Sequence, residues 1–373
     1  MDLQLTIERT KQSRIDSIDW NNLPFGKFYS DHMLIAEYFD ERWQSVKILP
    51  FGDIPMSPAT SSIHYGQSIF EGMKAFRGND GEDYLFRSED NRVRFNLSAE
   101  RMGMPDVPAE IFTGGLQRLV DLDRDWVPTT NGCALYLRPF MFAADEFIGV
   151  RPTTHFKFII ITSPCGIYYP NPVNVLVADK YVRAFPGGTG FAKAAGNYGA
   201  TMMPLQKAHD LGFQQILWMD GAEFKYCEEI GTMNFFVMIG DTVLTPELDG
   251  TILNGVTRDC VIQIFKKEGI KVAERKVSIH EIMEAGKNGT LRDAFGTGTA
   301  ATIAPIAMLS FKGTEMHLPD VSERPLSLML KKKLDDLRTL AAADEFNWME
   351  KIPHFSHQTV PSGNGVSHAK AEH

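Results

Sequence analysis

The sequence predicts a mixed α+β protein built from two domains. Its 373 residues exceed the size that one hydrophobic core usually supports. Strand-like apolar runs alternate with helical segments along most of the chain. The segment 168–174, YYPNPVN, carries two prolines and two asparagines, which interrupt helix and strand alike. We therefore expect a small α/β domain over 1–170, an interdomain linker over 171–180, a large domain over 181–352 and a flexible polar tail over 353–373.

The first domain is expected to combine strands with two helices. HMLIAEYF and YLFR are typical of strands, and EDNRVRFNLSAERM predicts a helix with Val93, Leu97 and Met104 along one buried stripe. IFTGGLQRLVDLDRDW predicts a second helix. ALYLRPFMFAAD and THFKFIIITSPCG then predict two long strands, of which the second is buried.

The second domain is expected to alternate strands and helices. The predicted strands are VNVLVADKYVRA, QQILWMD, EFKYCEEI, MNFFVMI, TVLTP, KVAERKVSI and DAFGTGTA. Asp220-Gly221 indicates a hairpin between the second and third of these strands. The predicted helices are NYGATMMPLQKAHDLG, which ends at Gly212, VTRDCVIQIFKKEG, SIHEIMEAG and LSLMLKKKLDDLRTLAAA.

Composition and charge favour a small-molecule ligand. The net charge of −9 argues against nucleic acid or an anionic membrane as the main partner. The four cysteines have neither CxxC nor metal-ligand spacing, so we expect reduced thiols, no metal site and a cytoplasmic protein. The N-terminus lacks the apolar core of a signal peptide, and the longest apolar runs are too short to span a membrane.

A single lysine stands among small residues in GGTGFAKAAGNYG, residues 187–199. Lys193 in such surroundings would be desolvated, which favours the neutral, nucleophilic amine. The phosphate-binding P-loop is excluded because no GK[ST] occurs in the chain. Most lysines are solvated surface groups, however, so Lys193 alone does not establish catalysis.

Three further sites are weak when they are considered singly. Glu229 precedes a Gly-Thr turn where it could enter a cleft, but the local context favours a solvated pair of Glu228 and Glu229 at a loop. The helix that begins near Val256 offers free backbone N–H groups to a phosphate, as every helix does. Arg138, in an apolar strand, requires either a ligand carboxylate or an internal salt bridge.

The stretch DAFGTGTAAT matches G-x-G-x-x-A and raises the alternative of a dinucleotide-binding turn. Pro305 lies where the helix of such a motif should run, and too little chain follows for a complete dinucleotide-binding sheet. We therefore interpret this stretch as a Gly/Thr loop whose amides could hold another anion.

Seven motifs occur in one order: HYGQSIFEGMKAF, FRSEDNRVRFNLSAERMGMP, LYLRPF, FAKAAGNYG, EEIGTMNFF, NGVTRD and FGTGTA. Together they resemble the branched-chain amino acid aminotransferases, fold-type IV enzymes that use pyridoxal 5′-phosphate, from about Phe25 to about Asn347. The resemblance implies that Lys193 is the catalytic residue, which holds the cofactor as a Schiff base and then moves a proton. It also implies that Glu229 lies beside the pyridine nitrogen and that Tyr198 hydrogen-bonds the ring O3′.

The resemblance also assigns the phosphate and substrate sites. It implies phosphate contacts from Arg94, Val256, Thr257 and Thr299, and further cofactor contacts from Thr232 and Asn234. The substrate pocket it implies consists of Phe25, Tyr65, Phe70, Tyr136, Arg138, Tyr168, Thr299 and Ala300. Such an apolar cage suits leucine, isoleucine and valine. Arg138 is then expected to bind the side-chain carboxylate of glutamate in the second half-reaction.

The implied activity is transfer of the amino group from branched-chain amino acids to 2-oxoglutarate by a homodimer. D-Amino acid transaminases and aminodeoxychorismate lyases share the fold and stay open as alternatives, as do a dinucleotide-dependent oxidoreductase and an inactive metabolite-binding protein. The chain departs from the animal members of the family in one place. Ala301 and Ala304 stand where those members carry a Cys-x-x-Cys, so we expect no thiol switch there.

Overall fold

A nine-stranded sheet forms the first half of the computed structural model, which describes residues 5–356. The elements of this half are β1 (Leu5–Ile7), β2 (His32–Phe39), β3 (Arg42–Pro50), α1 (Ser61–Tyr65), β4 (Ser68–Phe70), β5 (Met73–Arg77), β6 (Asp83–Phe86), α2 (Ser88–Arg101), α3 (Ala109–Leu122), β7 (Ala134–Ala143) and β8 (Phe156–Cys165).

A second sheet forms the other half. Its elements, with those that follow it, are β9 (Val173–Val177), α4 (Ala195–Gly199), α5 (Met202–Asp210), β10 (Gln215–Met219), β11 (Cys227–Ile230), β12 (Met233–Ile239), β13 (Thr242–Thr245), α6 (Val256–Lys267), β14 (Lys271–Glu274), α7 (Ile279–Lys287), β15 (Leu291–Gly298), β16 (Thr302–Phe311), β17 (Thr314–His317), α8 (Pro325–Arg338) and β18 (Met349–Lys351).

The first sheet is antiparallel apart from one edge. Its strand order is β1-β3-β2-β8-β7-β5-β6-β18, with β4 paired to β7 and β1 parallel to β3. Helices α2 and α3 pack beside it, and their apolar residues share one core with the strands, around Phe95, Phe112 and Phe158. The centre of this sheet, β7 paired with β8, carries the LYLRPF motif.

The second sheet closes on itself. Strands β9, β10, β11, β12, β15 and β16 form a hydrogen-bonded ring, because β11 pairs with both β10 and β12. Strands β13, β14 and β17 extend from this ring. A closed ring has no free edge at β11, so the strand that carries Glu229 is held on both sides.

An apolar cluster joins the two sheets. Phe76, Phe86 and Ala134 of the first sheet belong to the same buried cluster as Phe236, Phe295 and Leu330 of the second half. After α8 the chain returns, and β18 pairs with β6 at the edge of the first sheet. Within the predicted linker 171–180, residues Val173–Val177 form β9, so the predicted strand at this place is confirmed.

One sequence prediction about these elements is wrong, and one strand was not predicted. Helix α2 does not bury Val93 and Leu97, whose exposed fractions are 47% and 51%; its buried face includes Arg94, Phe95 and Ser98. The polar residues on that face serve the cavity described below, so apolar periodicity gives the wrong side. The sequence analysis also misses β16, because Pro305 interrupts an alternating pattern. Pro305 lies opposite Phe295 on β15, so two strands flank the Gly/Thr loop, in agreement with the rejection of a dinucleotide-binding turn there.

The ends of the described range complete the fold. Phe355, from the predicted tail 353–373, donates its backbone N–H to Asp121, and residues 357–373 lie outside the described range. Across residues 5–356, none of the helices combines the length and apolar character that crossing a membrane requires. Over the same residues no cluster of three potential metal ligands occurs.

Candidate active site

A cavity of about 670 Å³ opens between the two sheets. Most of the residues that the sequence analysis selects line it, although they come from separate segments spread over the chain. These residues are Phe25, Phe70, Arg94, Tyr136, Arg138, Tyr168, Lys193, Tyr198, Thr232, Asn234, Val256, Thr257, Thr299 and Ala300.

Two of the selected residues do not line this cavity. Glu229 lies behind it, at a much smaller cavity that also contacts Tyr198 and Thr232. Tyr65 ends α1 with 44% of its surface exposed, and it lines a separate depression together with Phe147 and Val150. A single chain therefore does not bring Tyr65 to the site.

Lys193 is held in place through its backbone. Its N–H donates to Ser98 Oγ at 3.0 Å on α2, and its carbonyl accepts from the Phe70 N–H at 3.1 Å. The side chain reaches into the cavity, where Nζ donates to the Tyr198 hydroxyl at 3.1 Å and lies 5.0 Å from the centre of the Phe70 ring. The amine therefore has one polar partner and an aromatic wall, and its remaining side faces the cavity.

Glu229 is buried, not solvated as its local sequence context favours. Only 4% of its surface is exposed. Its Oε1 accepts hydrogen bonds from Leu253 N at 2.9 Å and from Asn234 Nδ2 at 3.4 Å, and Arg183 Nε lies 3.1 Å from Oε2. Burial raises the pKa of Glu229, while the Arg183 charge and the Leu253 N–H oppose that rise. Two hydrogen-bond donors and a guanidinium thus surround a carboxylate that would otherwise be costly to bury.

Glu228 is buried beside it on β11. Burial raises its pKa to about 7, against the lowering influence of a Thr251 hydrogen bond and of Arg183. Its Oε2 has no hydrogen-bond partner among the described residues. The two adjacent glutamates are therefore unequal, because the close contacts of Arg183 and Leu253 go to Glu229 and not to Glu228.

The N-terminus of α6 forms an anion-binding site at the cavity wall, which we call the phosphate seat. Val256 and Thr257 begin the helix, where the first backbone N–H groups have no partner within it. Glycine is required just ahead of them, because a Cβ atom on Gly255 would lie 1.9 Å from Asn234 Oδ1. Asn234 in turn donates to the Leu253 carbonyl at 2.8 Å, which fixes the loop that leads into the helix. Thr299 approaches the same seat from the turn after β15.

Arg94 lies at this seat but is already paired. Its Nε and Nη2 donate to the two carboxylate oxygens of Glu71 at 2.7 and 2.8 Å, and Nη1 donates to the Asn254 carbonyl at 3.1 Å. Glu71 is fully buried. The sequence analysis missed Glu71 and Arg183; the signal for Glu71 was an acidic residue inside the apolar motif FEGMKAF.

Aromatic rings form the opposite wall. Phe25 contacts Tyr136 and Tyr168 edge to face, with ring centres 4.7 and 5.0 Å apart. The Tyr136 hydroxyl approaches the backbone at Gly72 so closely that a Cβ there would lie 2.0 Å from it. This wall is rigid and mostly apolar, with phenol groups at its edge.

Arg138 points its guanidinium into the same region. Nη2 donates to the Tyr136 hydroxyl at 2.9 Å, and Cζ lies 4.7 Å from the centre of the Phe70 ring. Its Nε is buried without a hydrogen-bond partner, and among residues 5–356 no carboxylate forms an ion pair with Arg138. The internal salt bridge that the sequence left open is therefore absent from the described part of the chain, and Arg138 keeps donors for a ligand.

The residues present fit pyridoxal 5′-phosphate. The cavity offers an amine for the aldehyde in Lys193, free amides for a phosphate at Val256 and Thr257, and a buried carboxylate behind it in Glu229. These three features suit the three reactive parts of that cofactor, namely its aldehyde, its phosphate and its ring nitrogen.

Comparison with known proteins identifies a family for the chain. The model of the family "Amino-transferase class IV" matches residues 68–309. The chain is 40% identical over 354 residues to branched-chain-amino-acid aminotransferase 2 of Bacillus subtilis (strain 168), covering 94% of this chain and 97% of that protein.

Solved structures show the same fold. The branched-chain aminotransferase of Thermoproteus uzoniensis with norvaline has a TM-score of 0.71 at 24% identity, covering 86% of this chain and 100% of that chain. The T.th. branched-chain amino acid aminotransferase complexed with N-(5′-phosphopyridoxyl)-L-glutamate has a TM-score of 0.70 at 21% identity, covering 85% of this chain and 98% of that chain.

Proposed function

The chain belongs to the class IV aminotransferases and, within them, to the branched-chain-amino-acid aminotransferases, and from this we propose that it transfers the amino group of leucine, isoleucine and valine to 2-oxoglutarate. The products are the branched-chain 2-oxo acids and L-glutamate. The cofactor is pyridoxal 5′-phosphate, which supplies an aldehyde for the amino group and a ring that withdraws electrons. The observation that carries the proposal is one cavity that joins Lys193, the α6 N-terminus and an aromatic wall.

Lys193 is proposed as the catalytic base. In each half-reaction a proton leaves the substrate Cα, and Lys193 Nζ is the cavity amine that can accept it and later return it. The Tyr198 hydroxyl, 3.1 Å from Nζ, orients the amine. The contacts of Lys193 with Ser98 and Phe70 fix the backbone from which the amine extends into the cavity.

Glu229 is proposed to hold a proton on the ring nitrogen of the cofactor. A carboxylate of raised basicity, kept in place by Arg183 and the Leu253 N–H, can share a proton with a heterocyclic nitrogen in a buried site. Arg183 supports the negative charge of Glu229 when that proton stays on the ring. Thr232 and Asn234 line the cavity, and Asn234 Nδ2 donates a hydrogen bond to Glu229 Oε1 at 3.4 Å.

The substrate side chain is proposed to pack against the aromatic wall. Phe25, Phe70 and Tyr168 bury an aliphatic side chain. Tyr136, Thr299 and Ala300 line the same space, and Arg138 can pair with the side-chain carboxylate of glutamate. One cavity can therefore accept both partners of the exchange.

We propose that the enzyme is a cytoplasmic homodimer whose small domain spans 1–170 and whose large cofactor-binding domain spans 181–352. Exposed apolar side chains near Tyr65 support a dimer: Ile63, Ile148 and Val150 are 60%, 68% and 90% exposed. Such side chains are uncommon together on the surface of a monomer. Tyr65 then belongs to this contact surface.

Two measurements on the purified protein test the proposed function. Bound pyridoxal 5′-phosphate should colour the protein yellow, and excess leucine should remove that colour in a single turnover. Leucine with 2-oxoglutarate should then yield glutamate in steady state. Turnover of D-alanine but not of leucine, or a colourless protein that does not bind the added cofactor, would refute the assignment.

A further inference from the structure

Two buried cations, Lys74 and Arg338, lie behind the phosphate seat without lining the main cavity. Lys74 is on β5 in the motif FEGMKAF and is 8% exposed; Arg338 is the last residue of α8 and is 3% exposed. Together with Thr257 and Thr299 they line a cavity of about 10 Å³, which has room for about one water molecule. We refer to Lys74 and Arg338 as the rear cations.

Within the described part of the chain, neither rear cation has a carboxylate within ion-pair distance. Among residues 5–356, no ion pair involves Lys74 or Arg338, although Asp335, one turn before Arg338, acts on both at longer range. Burial raises the pKa of Asp335, against the lowering influence of Arg338 and Lys74. Arg338 Cζ lies 5.5 Å and 4.6 Å from the ring centres of Phe76 and Phe86, and its Nε has no hydrogen-bond partner among the residues that the structure describes. Buried positive charge without a counter-charge is costly unless an anion binds nearby.

Arg94 alone cannot supply the positive charge that a phosphate at the seat would need. Its bidentate pairing with Glu71 makes the two side chains together neutral, so an incoming phosphate dianion finds little net charge in Arg94. Burial lowers the pKa of Lys74, and the nearby charge of Arg338 adds to this lowering, so an anion at the seat would stabilise the ammonium form.

The rear cations also hold the turn that carries Thr299. Lys74 Nζ donates to the Ala300 carbonyl at 3.1 Å, and Arg338 Nη1 donates to Thr302 Oγ1 at 2.8 Å. Thr302 has a φ of 60°, a conformation that a β-branched residue rarely adopts. Two cations thus fix a strained turn from both ends, and the same turn presents Thr299 to the seat.

We propose that Lys74 and Arg338 are positioning residues that set the affinity for the phosphate group of the cofactor, supplying from behind the turn the positive charge that Arg94 shares with Glu71. This inference rests on the proposed function, because that function supplies the phosphate. The rear cations stabilise the phosphate in two ways. Their positive charge attracts it across a low-dielectric site, and their hydrogen bonds hold the turn that presents Thr299. Neither residue touches the reacting atoms.

The test compares pyridoxal 5′-phosphate with pyridoxal, which lacks the phosphate. The cofactor-free protein is titrated with each, for wild type, Lys74→Gln and Arg338→Gln, which remove the charge and keep a hydrogen-bond donor. Each variant should bind pyridoxal 5′-phosphate about tenfold more weakly and pyridoxal nearly as the wild type does. Lys74→Arg should restore the affinity. Arg324→Gln, at a buried arginine that pairs with Asp293 away from the seat, is the matched control.

Several outcomes would overturn the inference. Unchanged affinity for pyridoxal 5′-phosphate, or equal losses for both ligands, would mean that the rear cations serve only packing. If the glutamine variants do not fold, inorganic phosphate is added to the cofactor-free wild-type protein. The Tm of the protein in phosphate should then exceed its Tm in chloride of equal ionic strength. An unchanged Tm would contradict an uncompensated positive charge at the seat. A wild type that binds neither ligand would instead refute the proposed function.

Discussion

Arg183 places its guanidinium Nε 3.1 Å from Glu229 Oε2, with both side chains almost fully buried. The second guanidinium nitrogen of Arg183 donates to the carbonyls of Gly190 and Thr251, so the arginine is fixed by the loops on either side of the site. A fixed cation next to a buried carboxylate stabilises the negative charge of that carboxylate at a place that water does not reach. The charge on Glu229 is consequently the part of the site most sensitive to a conservative change.

Replacing Glu229 with Gln should slow proton transfer by about a hundredfold or more while the cofactor stays bound, since a neutral amide does not stabilise a protonated ring nitrogen. Stopped-flow absorbance after leucine addition measures this rate. Glu228→Gln, one residue earlier on the same strand, is the control and should keep most of the activity. Equal effects of the two changes would remove the special role of Glu229.

Replacing Lys193 with Ala should abolish turnover almost completely, because no other amine lines the cavity among the described residues. The variant should still bind the cofactor, with an absorbance spectrum that differs from that of the wild type. Lys180→Ala, at an exposed lysine of the same half, should change neither property. Normal transamination by Lys193→Ala would exclude this lysine as the base.

Replacing Arg138 with Met should weaken the glutamate half-reaction far more than the leucine half-reaction. The lost interaction is a charge-assisted hydrogen bond worth ~1.5–3 kcal/mol, or about ten- to a hundredfold in kcat/KM. Single-turnover reactions with each amino acid separate the two effects, and Arg138→Lys should restore part of the glutamate rate. Equal losses would make Arg138 structural.

The stability of the protein should depend on pH through Glu228. Its carboxyl has a pKa of about 7 when folded against an ordinary value of 4.5, so between these values the folded chain holds a proton that the unfolded chain has lost. Rising pH through this window therefore destabilises the fold by at most about 3 kcal/mol. Glu228→Gln removes this loss.

The measurement is the difference in Tm between Glu228→Gln and wild type at pH 5 and at pH 8. The variant should gain several degrees relative to wild type at pH 8 and little at pH 5. Glu223→Gln, at an exposed position nearby, should show the same small difference at both pH values. A gain confined to pH 5 would reverse the sign and contradict the assignment.

Mild peroxide should not switch the enzyme reversibly. Ala301 and Ala304 stand in place of the thiol pair that animal members of the family carry, and Cys165, Cys227 and Cys260 are buried. Burial also raises the pKa of all four thiols, to about 11 for Cys260, which disfavours the reactive thiolate. Activity that falls with peroxide and returns with dithiothreitol would point to the partly exposed Cys133.

The sequence predicted local features well and long-range partners poorly. Helix α6 and strand β12 follow from periodicity, which neighbouring residues determine. The hydrogen bond between Lys74 and Ala300 joins residues 226 positions apart, and no local pattern encodes it. For the same reason the local context of Glu229 favoured a solvated carboxylate, since its burial depends on Arg183 and Leu253 from other loops.

The buried face of α2 shows a second limit. A helix normally buries its apolar stripe, but α2 turns Arg94 and Ser98 inward to serve the cavity and leaves Val93 and Leu97 outside. Functional demand here overrides the hydrophobic pattern. The family resemblance selected Arg94 for the site, which periodicity could not do, but it did not select Ser98.

The path of the chain has a mechanical consequence. The polypeptide crosses from the first sheet to the second after β8 and crosses back before β18 pairs with β6. The two halves are therefore joined by two chain connections at separate places. Two connections restrict the relative rotation of the halves more than a single connecting segment would.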